Sequence, residues 1–127
     1  MNKINYDNNF ILNIENIYKA MNINRSIIIV ENYNTANYLK NILIQNNHSV
    51  YIINNNNLNK LNIDNLDSKL FIIINYLFHN FINFLNKNNK LNYIDLILFY
   101  RINNYYKNLF ITYYNTVSNY YNNTIII

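Results

Sequence analysis

The chain has 127 residues, which is room for one compact domain and not for two. Apolar residues make up 51%, ample for a core, while 13% are charged, about half the usual share. There is no cysteine, which excludes disulfides, thiolate nucleophiles and Cys-based metal sites. There is no glycine either, so the phosphate-cradling Walker loop and the dinucleotide fingerprint are ruled out in their ordinary form. The formal charge is +4 and the pI about 9.2, mildly basic values that suit an RNA partner without demanding one.

Residues 1–9 are Asn-rich, mix Lys3 with Asp7, and read as an N-terminal tail with no secretory signal. Residues 10–21 predict a helix, because Ile14, Ile17, Tyr18 and Met21 recur at i, i+3, i+4 and i+7, with Asn8 or Asn9 as its cap. Residues 26–30 (SIIIV) form a short β-branched run and predict a buried strand. A helix is expected over residues 35–45, with Ala36, Leu39, Ile42 and Leu43 on one side and Asn34 or Thr35 as N-cap. Asn46 and Asn47 would end it, Asn being the best substitute for Gly in the left-handed conformation. Residues 49–53 (SVYII) predict a second strand.

Residues 54–69 read as a polar connector with spaced Leu58, Leu61, Ile63 and Leu66. A third strand is expected at 70–74 (LFIII), then the clearest helix at 77–86, where Leu77, Phe78, Phe81, Ile82 and Leu85 make one apolar stripe. The fourth strand falls at 96–100 (LILFY), and 109–112 (LFIT) is a candidate fifth. Beyond it Val117, Tyr120 and Tyr121 have helical spacing. No apolar run approaches the roughly 20 residues of a membrane span, so a soluble product is expected.

Strands that alternate with helices of about ten residues imply right-handed crossovers and a parallel sheet. The expected fold is therefore α/β, a flavodoxin-like three-layer domain with a four- to five-stranded parallel sheet.

Catalytic groupings are not visible. The six carboxylates, Asp7, Glu15, Glu31, Asp64, Asp67 and Asp95, are scattered, and a general acid/base dyad has no visible seat. His48 and His79 have no Cys and few acids to build a metal site around. Ser26 and Ser49 begin strands and lack a Gly-flanked elbow. No enzyme activity, cofactor, metal or small-molecule substrate is expected. Residues 26–53 resemble the first βαβ unit of a response-regulator receiver. Glu31 is the lone acid after the first strand, however, and Asn75, which cannot be phosphorylated, stands where that family has its Asp. A degenerate receiver-like domain that binds a partner protein is thus the alternative reading.

Asn alone fills roughly a quarter of the chain, and Asn, Lys, Ile, Tyr and Phe, the residues of A/T-rich codons, replace those that need G or C. That bias points to an organelle genome or a reduced parasite or endosymbiont. Organelle genomes keep chiefly genes for membrane subunits and ribosomal proteins. Taken in order, residues 12–17 (LNIENI), 25–31 (RSIIIVE), 50–54 (VYIIN), 66–75 (LDSKLFIIIN), 84–95 (FLNKNNKLNYID), 96–103 (LILFYRIN) and 110–115 (FITYYN) resemble successive segments of the bacterial and organellar small-subunit ribosomal protein two family. The chain is similar to a shortened member, without that family's Gly-rich signature or its inserted helical hairpin. The resemblance implies a flavodoxin-like fold, a mitochondrial or plastid ribosome, and contacts with ribosomal RNA and neighbouring small-subunit proteins. RNA contacts of this kind use Lys and Arg on phosphates and aromatics on exposed bases. The candidate RNA-binding residues are Arg25, Lys40, Lys87, Lys90, Arg101, Tyr105, Tyr106 and Lys107. The run 101–107 (RINNYYK) interleaves both types at the expected carboxyl end of the fourth strand, the edge that ligands favour in such folds.

Overall fold

A computed structural model describes residues 3–60, 69–118 and 124–127. In chain order the elements are α1 (Lys3–Met21), β1 (Ser26–Val30), α2 (Tyr33–Gln45), β2 (Val50–Ile53), β3 (Leu70–Ile74), α3 (Phe78–Lys87), β4 (Leu96–Phe99), α4 (Asn104–Ser118) and β5 (Ile125–Ile126). Single 3-10 turns precede α3 at Asn75–Leu77 and β4 at Leu91–Tyr93, and a third lies at Leu58–Lys60.

The strands form one sheet in the order β2-β3-β1-β4-β5, with every pairing parallel. Ser26 is in register with both Leu70 and Leu96, so the three central strands start level. The side-chain period of two then divides their residues between two faces. Ile27, Ile29, Phe71, Ile73 and Ile97 pack under α3 and α4, against Phe78, Phe81, Ile82, Leu85, Phe110 and Tyr114. Ile28, Val30, Ile72, Ile74, Leu98 and Tyr100 pack under α1 and α2, against Ile11, Ile14, Ala36, Leu39 and Leu43. The apolar runs are continuous because both faces are covered, and each Ile, Leu or Phe so buried contributes about 1.5–3 kcal/mol. The architecture is the flavodoxin-like three-layer one. Its strand order differs from flavodoxin's 2-1-3-4-5, since β3 here sits between β1 and β2.

With no glycine in the chain, asparagine closes the helices. Asn22, Asn47 and Asn89, each just past a helix, have φ of 53°, 67° and 58°. After α2 the His48 N–H donates to the Leu43 carbonyl and the Asn47 N–H to that of Ile44, both at 3.0 Å. The Lys90 and Asn89 N–H groups repeat this pattern after α3, on Leu85 and Asn86. Both are Schellman motifs, with Asn in the position usually held by Gly.

Four expectations are corrected. Residues 109–112 lie inside α4, and the fifth strand is Ile125–Ile126. The first helix begins at Lys3, so Asn8 and Asn9 fall within it and residues 1–9 are not all tail. Its buried stripe starts at Ile11 and stops short of Met21, which is 51% exposed. The N-cap of α2 is Asn32, whose Oδ1 accepts from the Thr35 N–H at 2.8 Å. The expectations for Leu61, Ile63, Leu66, Tyr120 and Tyr121 lie outside the described residues.

Candidate functional site

The topology selects one edge of the sheet. The chain leaves β1 toward α2 on one face, whereas the helices after β3 and β4 lie on the other. Since β1 sits between β3 and β4, its carboxyl end is a topological switch point, where departing segments diverge and leave a crevice. A cleft of about 150 Å³ occupies that place, lined by Glu31, Asn75, Arg101, Ile102, Asn103 and Tyr106. Glu31 follows β1, Asn75 follows β3, and the other four follow β4 or open α4.

Local geometry shapes this edge. Arg101 holds φ at 58°, the only described residue other than Asn in the left-handed region, and its guanidinium lies 5.2 Å from the centre of the buried Tyr100 ring. That turn lets Asn103 cap α4: its Oδ1 accepts from the Tyr106 N–H at 3.0 Å and its carbonyl from the Lys107 N–H at 3.0 Å. The amino-terminal, electropositive ends of α2 and α4 therefore both face this edge.

Tyrosines crowd the same edge. Tyr105 is 69% exposed, Tyr76 62%, Tyr33 53% and Tyr106 49%, and from residue 8 onward these are the only exposed tyrosines among the described residues. Tyr33 opens α2, Tyr76 lies in the turn after β3, and Tyr105 and Tyr106 lie in the first turn of α4, in edge-to-face contact at 5.4 Å. Lys107 stands beside them, its ammonium 5.5 Å from the Phe99 ring.

The structure thus brings Arg101, Tyr105, Tyr106 and Lys107 together and places the other sequence candidates elsewhere. Arg25 and Lys90 meet at the opposite, amino edge, their charged groups 5.3 Å and 4.5 Å from the centre of the Tyr93 ring. Lys90 also donates to the Tyr93 hydroxyl at 3.2 Å. Lys40 is half-buried on α2. Lys87 ends α3 and helps line a separate cleft of about 360 Å³ with Asn55, Leu58, Asn80, Asn83 and Phe84. Tyr33, Tyr76 and Tyr93 escaped the sequence reading. For Tyr33 and Tyr76 a signal is present, since each falls two or three positions after a largely apolar strand.

Comparison of the chain with known protein families, with curated proteins and with solved structures finds no match. Among the described residues no group of three His, Asp or Glu could hold a metal ion, and no helix is long and apolar enough to cross a membrane. At the carboxyl edge the available chemistry is aromatic surface, amide and guanidinium donors, and one carboxylate. Groups of these kinds can stack on, hydrogen-bond to or ion-pair with a ligand.

Proposed function

We propose that this chain is an RNA-binding structural component of an organellar small ribosomal subunit, with the carboxyl edge of its sheet as the RNA contact. One observation carries the reading: four exposed tyrosines, Tyr33, Tyr76, Tyr105 and Tyr106, gather on that edge, beside Arg101 and Lys107. A tyrosine ring left in water forgoes the burial that usually stabilises it, and four such rings together form a stacking platform. Base–aromatic stacking is worth about 1–3 kcal/mol per base, and the neighbouring cations supply the phosphate contacts. The ribosomal setting is inferred from the A/T-biased composition and from the segment-by-segment resemblance described above.

Sedimentation of native lysate, with gradient fractions probed for this chain, tests the proposal. The expected result is co-migration with the small ribosomal subunit, lost after RNase treatment or at high salt. A chain that stays at the top of the gradient would overturn it. A complex that resists RNase would favour a protein partner on the same edge.

A further inference from the structure

We infer that the cleft between the carboxyl ends of β1, β3 and β4 receives a single unpaired guanine base of the RNA. This inference rests on the RNA-binding reading and adds base selectivity to it. Its volume of about 150 Å³ is below the roughly 300–1,000 Å³ of sites that enclose a whole small-molecule ligand. A base can enter while its sugar and phosphate stay outside.

The lining separates the four bases. Tyr106 and Ile102 supply an aromatic and an apolar surface for the faces of a planar ring. Glu31 is the only carboxylate in the lining and, when ionised, can only accept hydrogen bonds. Guanine alone presents two adjacent donors on its Watson–Crick edge, the ring N1–H and the exocyclic amine, and so meets both carboxylate oxygens. Adenine and cytosine pair their amine with a ring acceptor, which would face the carboxylate lone pairs. Uracil flanks its one N–H with two carbonyls. Asn75 and Asn103 line the same cleft and carry amide N–H donors that suit the remaining guanine acceptors, and Arg101 in the lining supplies a cation for the phosphate that follows the base.

The test uses the full chain and four labelled RNA hairpins that share one stem and differ only in a single bulged base, G, A, C or U. Fluorescence anisotropy at fixed low salt reads the four dissociation constants. The G bulge is expected to bind about tenfold tighter than the others, the discrimination of one good bidentate pair. Glu31→Gln replaces an exposed side chain with its near-isostere, and an unchanged thermal melt would show that the fold is intact. It is expected to bring the four constants within about twofold of one another. The ratio, not the absolute affinity, is the readout, because removing a negative charge strengthens every RNA contact. Equal binding of the four hairpins by the unmodified chain, or a G preference that survives Glu31→Gln, would overturn the guanine pocket while leaving RNA binding in place. Failure of every hairpin to bind would overturn both readings.

Discussion

The Tyr18 hydroxyl on α1 lies 2.6 Å from the Ser26 Oγ at the start of β1, and this bond ties the first helix to the central strand. Ser26 is fully buried, and its own N–H donates to the Lys69 carbonyl at 2.9 Å. Burial pushes the Tyr18 phenol up from 10.0 to about 12, with the nearby Asp95 charge adding to the rise and the Ser26 bond opposing it. The folded chain therefore holds this proton more tightly than the unfolded chain does. The associated stability is complete below pH 10 and is lost as pH rises from 10 toward 12. Tyr18→Phe should cost about 1–3 kcal/mol near neutrality, because Ser26 loses its hydroxyl partner. The same variant should show a shallower alkaline decline than the parent chain. Urea melts at pH 8 and pH 11 check both: equal stability at pH 8 would count against the bond, and parallel pH profiles would count against the raised phenol.

Asn47 and Asn89 occupy the positions where helices most often place glycine. Glycine has no Cβ to crowd a positive φ, and alanine has one without the short amide that helps Asn tolerate it. Asn47→Gly should therefore raise stability by a few tenths to about 1 kcal/mol, and Asn47→Ala should lower it by about 1 kcal/mol. For a chain of this size the thermal midpoint should move by about 3 °C in each direction. Equal midpoints for the two variants would show that the turn does not limit stability.

Much of this fold could be read from the sequence because its strands are continuous apolar runs and Asn marks the helix ends. The sequence bounds of 26–30 and 70–74 match the observed strands, since each run is rich in Ile or Val, is buried throughout and is bounded by charged or polar residues. The stripe Leu77, Phe78, Phe81, Ile82 and Leu85 is buried as its spacing requires. Residues 109–112 are ambiguous because a short run of three apolar residues and a Thr fits a strand as well as a helix. Counting Tyr as apolar resolves them: Phe110, Tyr113, Tyr114 and Val117 stand at i, i+3, i+4 and i+7, and all four pack on the core. The site was half legible. Arg101–Lys107 is contiguous in sequence, whereas Glu31, Tyr33, Asn75 and Tyr76 join it only because β1 and β3 are neighbours in the sheet.

Arg101 combines a strained backbone with a charged side chain at the cleft. A left-handed conformation costs a residue such as Arg about 1–2 kcal/mol, and Asn lowers that cost. Arg101→Asn also removes the cation from over Tyr100, an exposed contact worth about 0.5–1 kcal/mol. The two effects nearly cancel, so the thermal midpoint should move by no more than about 3 °C. RNA affinity should fall, and the slope of log K against log salt should shrink by about 1, the signature of one lost phosphate contact. A large loss of stability with an unchanged salt slope would make Arg101 a structural residue.

Thr124 locks the last strand. Its Oγ1 donates to the Ile94 carbonyl at 2.7 Å and bonds the hydroxyl of the buried Tyr114 at 2.5 Å. Thr124→Val keeps the shape and removes both bonds, at an expected cost of about 1–3 kcal/mol. The loss should be felt first in β5, so the Ile127 N–H, which donates to the Ile97 carbonyl at 3.0 Å, should exchange faster while the β1 amides do not. Hydrogen exchange that accelerates equally in β1 and β5 would mean that β5 does not open by itself.

The tyrosines of the carboxyl edge allow binding and stability to be separated. Tyr33, Tyr76, Tyr105 and Tyr106 are exposed, so their truncation to Ala should change stability by no more than about 0.5 kcal/mol. Tyr113 is the contrast. It is half-buried, its ring lies 4.0 Å from that of His79, and its hydroxyl donates to the Asn83 Oδ1 at 2.6 Å, joining α4 to α3. Tyr113→Ala should destabilise the chain by about 1–3 kcal/mol and leave RNA affinity per folded molecule unchanged. Tyr105→Ala combined with Tyr106→Ala should weaken RNA binding by about 1–3 kcal/mol for each base that loses its stacking partner. The weakening should be the same at 50 mM and 200 mM salt, because stacking releases no counterions and only the cationic contacts carry salt dependence. Thermal melts and binding titrations on these variants check this pattern. Full RNA affinity in the double variant would remove the edge from consideration as the RNA contact, since Tyr105 and Tyr106 are the exposed aromatic pair beside Arg101 and Lys107.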